Sequence, residues 1–404
     1  MGNMPLDQSH LAEFGAFYRK HLIDDVMSFW DRRVTDPDGP GYLILYDRKG
    51  HLTGTDKFMW CQARQTYMFA ALYNFIEQRD DWLELARRGR NLLVDYGHAG
   101  NGRFHYRLDR AGKVLDARRS AFTDSFALIG LCEYAIASGS EEDKALIEQT
   151  YDALAEHIMI PGFDEWHHHP LDPAYRWHGP HMIGVGCAGV ARPVLGERVD
   201  QLAQYCLNQI LNVFSKPNYQ CTFELLDMEG NVVETDLGLR INPGHAIESA
   251  WFCMEEALLR GDGGAFDLAV RNCDWAYRLG YDVEHGGVLA FTNPYGGRPA
   301  GTDNWDSKIW WVQAEALYAL ALAAVEKDSV EHFKQFIDLH DYCQRLFHDS
   351  EYGEWYCCLD RQGRATATSK GNWVKSAFHL PRALMKLVLL FERVSDLSLA
   401  ASSR

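Results

Sequence analysis

The sequence lacks three features that would each point to a particular class of protein. No cysteines have the CxxC spacing, no apolar run reaches the roughly 18 residues needed to cross a bilayer, and basic residues are fewer than acidic ones. With 40 Lys and Arg against 56 Asp and Glu, the net charge is −16. This charge argues against nucleic acids and anionic membranes as partners, because clustered basic residues hold both.

Metal and nucleotide motifs are missing as well. The consecutive His167, His168 and His169 precede Pro170 and are poorly placed to surround one ion, and no HExxH occurs. No GxGxxG follows a strand and there is no Walker loop. We therefore expect no required metal or cofactor, and no motif supports a nucleotide effector.

The ten cysteines are spread along helical patterns, and only Cys357 and Cys358 are adjacent. Such a distribution predicts buried free thiols in a reducing compartment. The first residues are polar and acidic, unlike a secretory signal. We expect a cytoplasmic protein, and a homodimer is compatible with the sequence.

A repeat organises the chain. Short strand–turn–strand patterns recur around five turn glycines that are 62, 118, 67 and 66 residues apart, namely Gly50, Gly112, Gly230, Gly297 and Gly363. Since 118 is about twice 59, we expect six units, with the third hairpin replaced by an irregular segment around 167–177.

Between the hairpins the apolar period is helical. It predicts about twelve helices, near 8–30, 60–79, 82–96, 123–138, 142–158, 181–192, 197–214, 244–260, 265–279, 306–325, 330–347 and 374–393. Segments 314–327 and 379–394 are apolar on most sides, as inner helices are, whereas 80–97 is amphipathic. The sequence predicts an all-α fold, an (α/α)6 barrel forming one domain over 1–404 with short β-hairpins at one end. A helical solenoid is the alternative.

One reactive or aromatic side chain falls near the start of each predicted inner helix. These residues are spaced 57 to 68 apart and are Arg64, Asp124, His181, His245, Trp311 and His379. Equivalent positions of successive inner helices meet at one end of a closed barrel, so we expect a polar site there.

Each candidate also has a structural interpretation. Glu248 follows His245 by three residues and could orient its imidazole or serve only the first helical turn. His379 lies on an apolar helix, where a histidine is more often a core residue. Arg64 is costly to bury and either faces a ligand or pairs with Glu248 or Glu315.

Long segments resemble the N-acylglucosamine 2-epimerase family, which includes cellobiose 2-epimerases and mannose-type aldose–ketose isomerases. They include TDKFMWCQARQ (55–65), RINPGHAIESAWF (240–252), WDSKIWWVQAEAL (305–317) and KGNWVKSAFHLPRA (370–383). The resemblance implies an (α/α)6 barrel and a monosaccharide or short oligosaccharide as substrate.

Roles follow from the resemblance for residues that match the motifs. His245 and His379 correspond to the acid/base pair, Arg64 to the residue that steadies sugar oxygens, and Glu248 and Glu315 to the acids that orient these groups. His181 resembles the isomerase and cellobiose branches and is a candidate for ring opening. The remaining substrate-binding candidates are Trp305, Trp310, Trp311, Asp303 and Tyr42.

The expected reaction is epimerisation at C2, interconverting N-acylglucosamine and N-acylmannosamine through an enediolate with two histidines as acid and base. Return of the proton to C1 would instead give a mannose-type aldose–ketose isomerase. Two other functions stay open. One is an inverting glycoside hydrolase using Asp124 with Glu248 or Asp303, and the other is a non-catalytic binding module.

Overall fold

The computed structural model describes residues 8–160 and 172–402, and two concentric layers of helices form most of it. The inner layer consists of α3 (Met59–Phe75), α5 (Ala121–Ser138), α7 (His178–Leu195), α9 (Pro243–Arg260), α11 (Trp310–Lys327) and α13 (His379–Ser402). Each inner helix contacts the next, and α13 contacts α3, so the ring is closed. This closure confirms the barrel and excludes an open solenoid.

The outer helices alternate with the inner ones along the chain. They are α1 (Gln8–Lys20), α4 (Asp80–Leu92), α6 (Lys144–Met159), α8 (Asp200–Asn208), α10 (Gly263–Gly280) and α12 (Val330–Leu346). The first of them, α1, continues as a π-helical stretch, His21–Met27, and then as the short α2 (Ser28–Asp31). π-helical turns also extend α4 as Leu93–Gly97 and α8 as Gln209–Phe214, and a 3-10 turn, Gly196–Val199, precedes α8. The described part of the chain thus holds twelve helical segments, as the sequence predicts.

Burial explains the two sequence patterns. Every residue of α3 from Met59 to Leu72 is buried, because this inner helix is covered on its outer side by the second layer of helices. The amphipathic α4 instead buries mainly Trp82, Ala86, Gly89 and Leu92. No helix within the described ranges is long and apolar enough to cross a membrane.

Short strands lie at the end of the barrel where the inner helices begin. They are β1 (Leu45–Tyr46), β2 (Leu52–Gly54), β3 (Lys57–Phe58), β4 (Arg107–Leu108), β5 (Val114–Asp116), β6 (Tyr175–Trp177), β7 (Ser215–Lys216), β8 (Cys221–Thr222), β9 (Leu225–Asp227), β10 (Lys308–Ile309), β11 (Cys358–Leu359) and β12 (Ala365–Ala367). Strands β3 and β10, which lead directly into α3 and α11, pair antiparallel with the hairpins β4–β5 and β11–β12.

The turn glycines at 50, 112, 230 and 363 close hairpin turns with positive φ, as the repeat predicts. The hairpin predicted around Gly297 is wrong. Val288 forms a bridge with Tyr281, and Thr292 forms one with Ile241, so this segment pairs with its neighbours rather than with itself. Residues 167–171 of the irregular segment at 167–177, including His167, His168 and His169, lie outside the described residues, and the rest of the segment ends in β6, which pairs with β9.

Three hairpins are joined to the barrel by the same arrangement, in which an arginine and a lysine share one buried aspartate; we call it a clamp. In one of them, Arg361 donates from Nε to Asp282 Oδ2 at 2.9 Å, and Lys308 Nζ lies 3.2 Å from the same oxygen. Lys308 and Asp282 are both buried. The other two sets are Arg110, Asp36 and Lys57, and Arg48, Asp349 and Lys370. These clamps fix the hairpins against the ends of the inner helices.

Candidate active site

A cavity of about 710 Å³ lies on the barrel axis. Its wall includes side chains from the first turns of several inner helices. Six of the predicted site residues line it, namely Arg64, His245, Glu248, Trp310, Trp311 and His379. The structure therefore brings the two predicted acid/base histidines and the predicted oxyanion-binding arginine into one cavity.

His245 is placed by a helix cap. The side chain of Asn242 accepts from the backbone N–H of His245 at 3.2 Å, and Pro243 occupies the first position of α9. The imidazole is held by Glu224, whose Oε2 lies 2.9 Å from His245 Nδ1. His178 lies beside the same carboxylate, with its Nδ1 3.5 Å from Glu224 Oε1. The expectation that Glu248 orients His245 is corrected, because Glu224 makes this contact.

His379 is held by a different carboxylate. Its Nδ1 lies 2.6 Å from Glu315 Oε1, and Trp251 Nε1 donates to the other oxygen of Glu315 at 2.9 Å. Arg382 lies one helical turn after His379 and donates to both Glu315 and Glu248. Glu248 thus belongs to a buried ion-pair network beneath His379.

The two histidines have opposite electrostatic surroundings. Burial alone would lower the pKa of His245, but the Glu224 carboxylate outweighs it and raises this pKa above its ordinary value. Burial lowers the pKa of His379 well below its ordinary value, and the guanidinium groups of Arg64 and Arg382 act in the same direction. The surroundings therefore favour the protonated imidazole at His245 and the neutral one at His379.

Trp311 contacts both imidazoles. Its ring centroid is 5.4 Å from that of His245 and 5.5 Å from that of His379. The indole therefore contacts both rings and forms part of the cavity wall beside them. A ligand at this wall is within reach of a group on α9 and a group on α13.

Arg64 is a buried cation without a carboxylate partner among the described residues. Its guanidinium carbon lies 4.4 Å from the ring centroid of Trp60, 4.0 Å from that of Phe126 and 4.8 Å from that of Phe378. Its Nε has no hydrogen-bond partner, and burial lowers its pKa to about 10. Neither predicted ion pair, with Glu248 or with Glu315, is formed because Arg382 occupies both. An oxygen-rich ligand would supply the missing partner.

Four predicted substrate-binding residues lie away from the cavity wall. Tyr42 is fully buried and donates its hydroxyl to the Leu85 carbonyl at 2.6 Å. His181 packs against Tyr205 and Phe214 behind α7.

Asp303 and Trp305 lie in the loop that precedes β10. The Asp303 side chain is 94% exposed and lies 3.3 Å from Arg298. The carbonyl of Trp305 accepts from the backbone of Phe291, and its indole is absent from the cavity wall. His181 is in phase with the repeat, and Asp303 and Trp305 precede the tryptophan-rich start of α11, but none of these residues lines the cavity.

The structure does not support the carboxylate pair that the glycoside hydrolase alternative needs, because the candidate carboxylates are bound to arginines. Asp124 is bound to Arg103 and accepts from the Phe104 backbone N–H at 2.8 Å, so it serves the helix start. Glu248 is bound to Arg382. Glu248, Glu315 and His379 could also meet at a metal ion, but the Arg382 cation already lies against both carboxylates.

Two residues of the site escape the sequence reasoning. Glu224 lies between β8 and β9, and no periodic pattern in the sequence identifies it as a site residue. Arg382 could have been found, because it follows His379 by one helical turn and is therefore on the same face.

Comparisons with known proteins agree with this arrangement. The family model of N-acylglucosamine 2-epimerase matches residues 41–383. The N-acylglucosamine 2-epimerase of Mus musculus is 27% identical over 386 residues, covering 90% of this chain and 88% of the relative. The cellobiose 2-epimerase of Dictyoglomus turgidum is 23% identical, covering 91% and 96%.

Solved structures share the fold. A cellobiose 2-epimerase from Bacillus thermoamylovorans superposes with a TM-score of 0.82 at 18% identity, covering 94% of this chain and 99% of that one. A D-mannose isomerase gives 0.81 at 20% identity, covering 93% and 97%. The match of the family model over most of the chain shows that the protein belongs to the N-acylglucosamine 2-epimerase family and is a carbohydrate epimerase of the isomerase class.

Proposed function

We propose that the protein interconverts N-acylglucosamine and N-acylmannosamine by moving a proton at C2 of the open-chain sugar. The observation that carries this proposal is the pair His245 and His379, which line one cavity, are held by separate carboxylates and both contact Trp311. Two histidines reaching C2 from opposite faces invert its configuration, since one removes the proton and the other returns one.

The protonation of the two histidines determines which of them acts as the base and which as the acid. His379, kept neutral by burial and nearby cations, removes the C2 proton, which the adjacent C1 carbonyl makes acidic. His245, whose protonated form Glu224 favours, delivers a proton to the opposite face. In the reverse direction the roles exchange. The active form of the pair carries one proton.

Arg64 would stabilise the enediolate. Its guanidinium faces the cavity without an anionic partner among the described residues, so a developing oxyanion on the sugar can take its charge-assisted hydrogen bonds. The scheme needs no cofactor, because the substrate carbonyl and three side chains supply all of its steps. The names of the relatives support a C2 epimerase acting on an N-acyl sugar.

Reaction in D₂O tests the proposal. We expect N-acetylmannosamine to give N-acetylglucosamine that carries deuterium at C2, and His245→Ala and His379→Ala each to abolish this conversion. The matched control is His332→Ala, since His332 lies outside the cavity and is bound to Asp274. Product formation that persists in both cavity variants would refute the two-base scheme.

A mannose-type aldose–ketose isomerase is the second candidate, favoured by the fold shared with a D-mannose isomerase. The same bases would then return the proton to C1. Profiling N-acetylmannosamine, mannose and cellobiose separates the candidates, because accumulation of a ketose from mannose, with no C2-labelled aldose, would replace the epimerase assignment.

A further inference from the structure

Cys357 and Cys358 place their sulfur atoms side by side in the cavity wall. The two Sγ atoms are 3.8 Å apart, and the Cys358 thiol donates to Cys357. Neighbouring residues of a regular strand point to opposite faces, which would separate the two thiols. Here Cys357 precedes β11, and the β11–β12 pairing is irregular directly after Cys358. The alternation therefore fails at this point and both thiols line the cavity.

The surroundings of Cys357 favour its thiolate. Besides the Cys358 thiol, Asn372 Nδ2 donates to Cys357 Sγ at 3.6 Å. The ammonium of Lys375 is fixed nearby by the Trp355 carbonyl at 2.6 Å. The hydrogen bond from Cys358, with smaller contributions from Lys375 and Asn372, lowers the pKa of Cys357 to about 7.

The other cysteines differ from this pair. Burial raises the pKa of each of the eight outside the pair, which are Cys61, Cys132, Cys187, Cys206, Cys221, Cys253, Cys273 and Cys343, whereas the pKa of Cys357, although it is also buried, is lowered. Cys358 is the one cysteine that is not fully buried. Cys357, whose thiolate is favoured, thus lies directly beside Cys358, the more exposed of the two thiols.

We propose that Cys357 and Cys358 form a dithiol site that captures thiophilic centres able to bind two sulfur atoms, of which trivalent arsenic is the chemical type. Two sulfurs in one wall bind such a centre far more tightly than one, because the second bond forms within the same molecule. With an arsine oxide, two As–S bonds form, two S–H bonds break, and the oxygen leaves as water without a change of oxidation state.

Capture at this site would obstruct the catalytic cavity. The backbone N–H of Trp310 donates to the Cys357 carbonyl at 3.1 Å, and Cys358 pairs with Ile309 in the sheet. Both contacts tie the thiols to the first turn of α11, which carries Trp311 in contact with both histidines. A bulky arsenical bound there would project beside the sugar site.

Phenylarsine oxide is the probe for the full-length native protein. Intact mass spectrometry is expected to show one phenylarsenic group per chain, removed by 2,3-dimercaptopropanol but retained against an equal concentration of a monothiol. Cys357→Ser and Cys358→Ser should each lose the retained adduct. Cys187→Ser is the matched control, since Cys187 also lines the cavity but is buried on α7, and it should keep the adduct.

Peptide mapping of the wild-type adduct gives a test that does not depend on how the variants fold. Arsenic located on the peptide that holds residues 357 and 358 supports the site, whereas arsenic elsewhere, or no uptake by the native protein, overturns it. Deuterium incorporation at C2 should be lost with the adduct and return after dimercaptopropanol. An adduct that leaves this rate unchanged would refute the obstruction of the cavity.

Discussion

Glu224 reaches His245 across a loop rather than along a helix, with Oε2 2.9 Å from Nδ1. The contact does two things. It leaves Nε2 as the nitrogen available to a ligand, and it raises the pKa of the imidazole against the effect of burial. Since Glu315 holds His379 in the same way, each histidine has its own carboxylate, yet only His245 has its pKa raised.

Replacing Glu224 by Gln should shift the pH profile of the reaction. A raised histidine pKa means that the protonated form is lost as the pH rises through it. Removing the carboxylate lowers that pKa, so the alkaline limb of kcat/KM should move to lower pH. We expect the rate at neutral pH to fall about 10²-fold, the lower end for loss of an acid–base group.

Glu229→Gln is the control for this change, because Glu229 is exposed in the turn after β9. An unshifted pH profile in Glu224→Gln, with a rate reduced only in proportion to lost folded protein, would show that Glu224 is structural.

Replacing Arg64 by Met should lower the activity without lowering the free energy of unfolding. Loss of the oxyanion donor is expected to cost about 3 kcal/mol of transition-state stabilisation, or about 10²-fold in kcat. The free energy of unfolding should hold or rise, because a buried cation without a carboxylate partner among the described residues is replaced by an apolar side chain.

Arg382→Met is the contrasting variant. It leaves Glu248 and Glu315 buried without their shared cation, so it should destabilise the protein by about 3–5 kcal/mol. Urea unfolding compares the two variants, and a similar destabilisation in both would contradict the interpretation of Arg64 as a ligand-facing residue.

His181→Phe should keep most of the activity. His181 is buried between Tyr205 and Phe214, burial lowers its pKa to about 3, and its Nδ1 has no hydrogen-bond partner. A phenyl ring fits these neighbours without a polar atom to desolvate. The check is the initial rate under conditions in which the supply of open-chain sugar limits the reaction. A loss of 100-fold or more would restore the proposed role of His181 in ring opening.

Asp282→Asn should weaken the clamp on the last hairpin. Its carboxyl pKa is lowered to about 2, since Arg361 and Lys308 outweigh burial. A lowered pKa stabilises the folded protein above the ordinary value of 3.8, and this contribution is lost as the pH falls towards 2. At pH 7 we expect a loss of about 3 kcal/mol, and a stability less dependent on pH below 4 than in the wild type.

Asp267→Asn serves as the comparison, because its ion pair with Lys327 is exposed and should contribute less than about 1 kcal/mol. Equal pH dependence of unfolding in Asp282→Asn and wild type between pH 2 and 4 would contradict the role assigned to the clamp.

The sequence predicted the barrel well because its signal is periodic. Helical spacing and the hairpin glycines are local features that repeat, and Asn242 with Pro243 marks the start of α9 directly. The start of α13 was placed five residues early, at 374. The side chain of Asn372 caps the backbone of Val374 and Lys375 in a turn instead, and Lys375 is held by Glu354.

Side-chain pairing across the barrel was harder to predict. The sequence brings Arg64, His245 and His379 to one end, but it assigns Glu248 to His245 because the two are three residues apart. The structure pairs His245 with Glu224, 21 residues away, and Glu248 with Arg382, 134 residues away. Such choices depend on how loops and inner helices meet, which no local pattern records.

The clamp between Arg48 and Asp349 joins two points 301 residues apart, and Tyr46 also bridges to Gly371. The first hairpin of the chain is thus secured by the last unit of the repeat. During synthesis on the ribosome, the amino-terminal hairpin must wait for almost the whole chain to emerge before its arginine finds a carboxylate. Completion of the ring is therefore a late step in folding, and a chain released before residue 349 would leave this seam open.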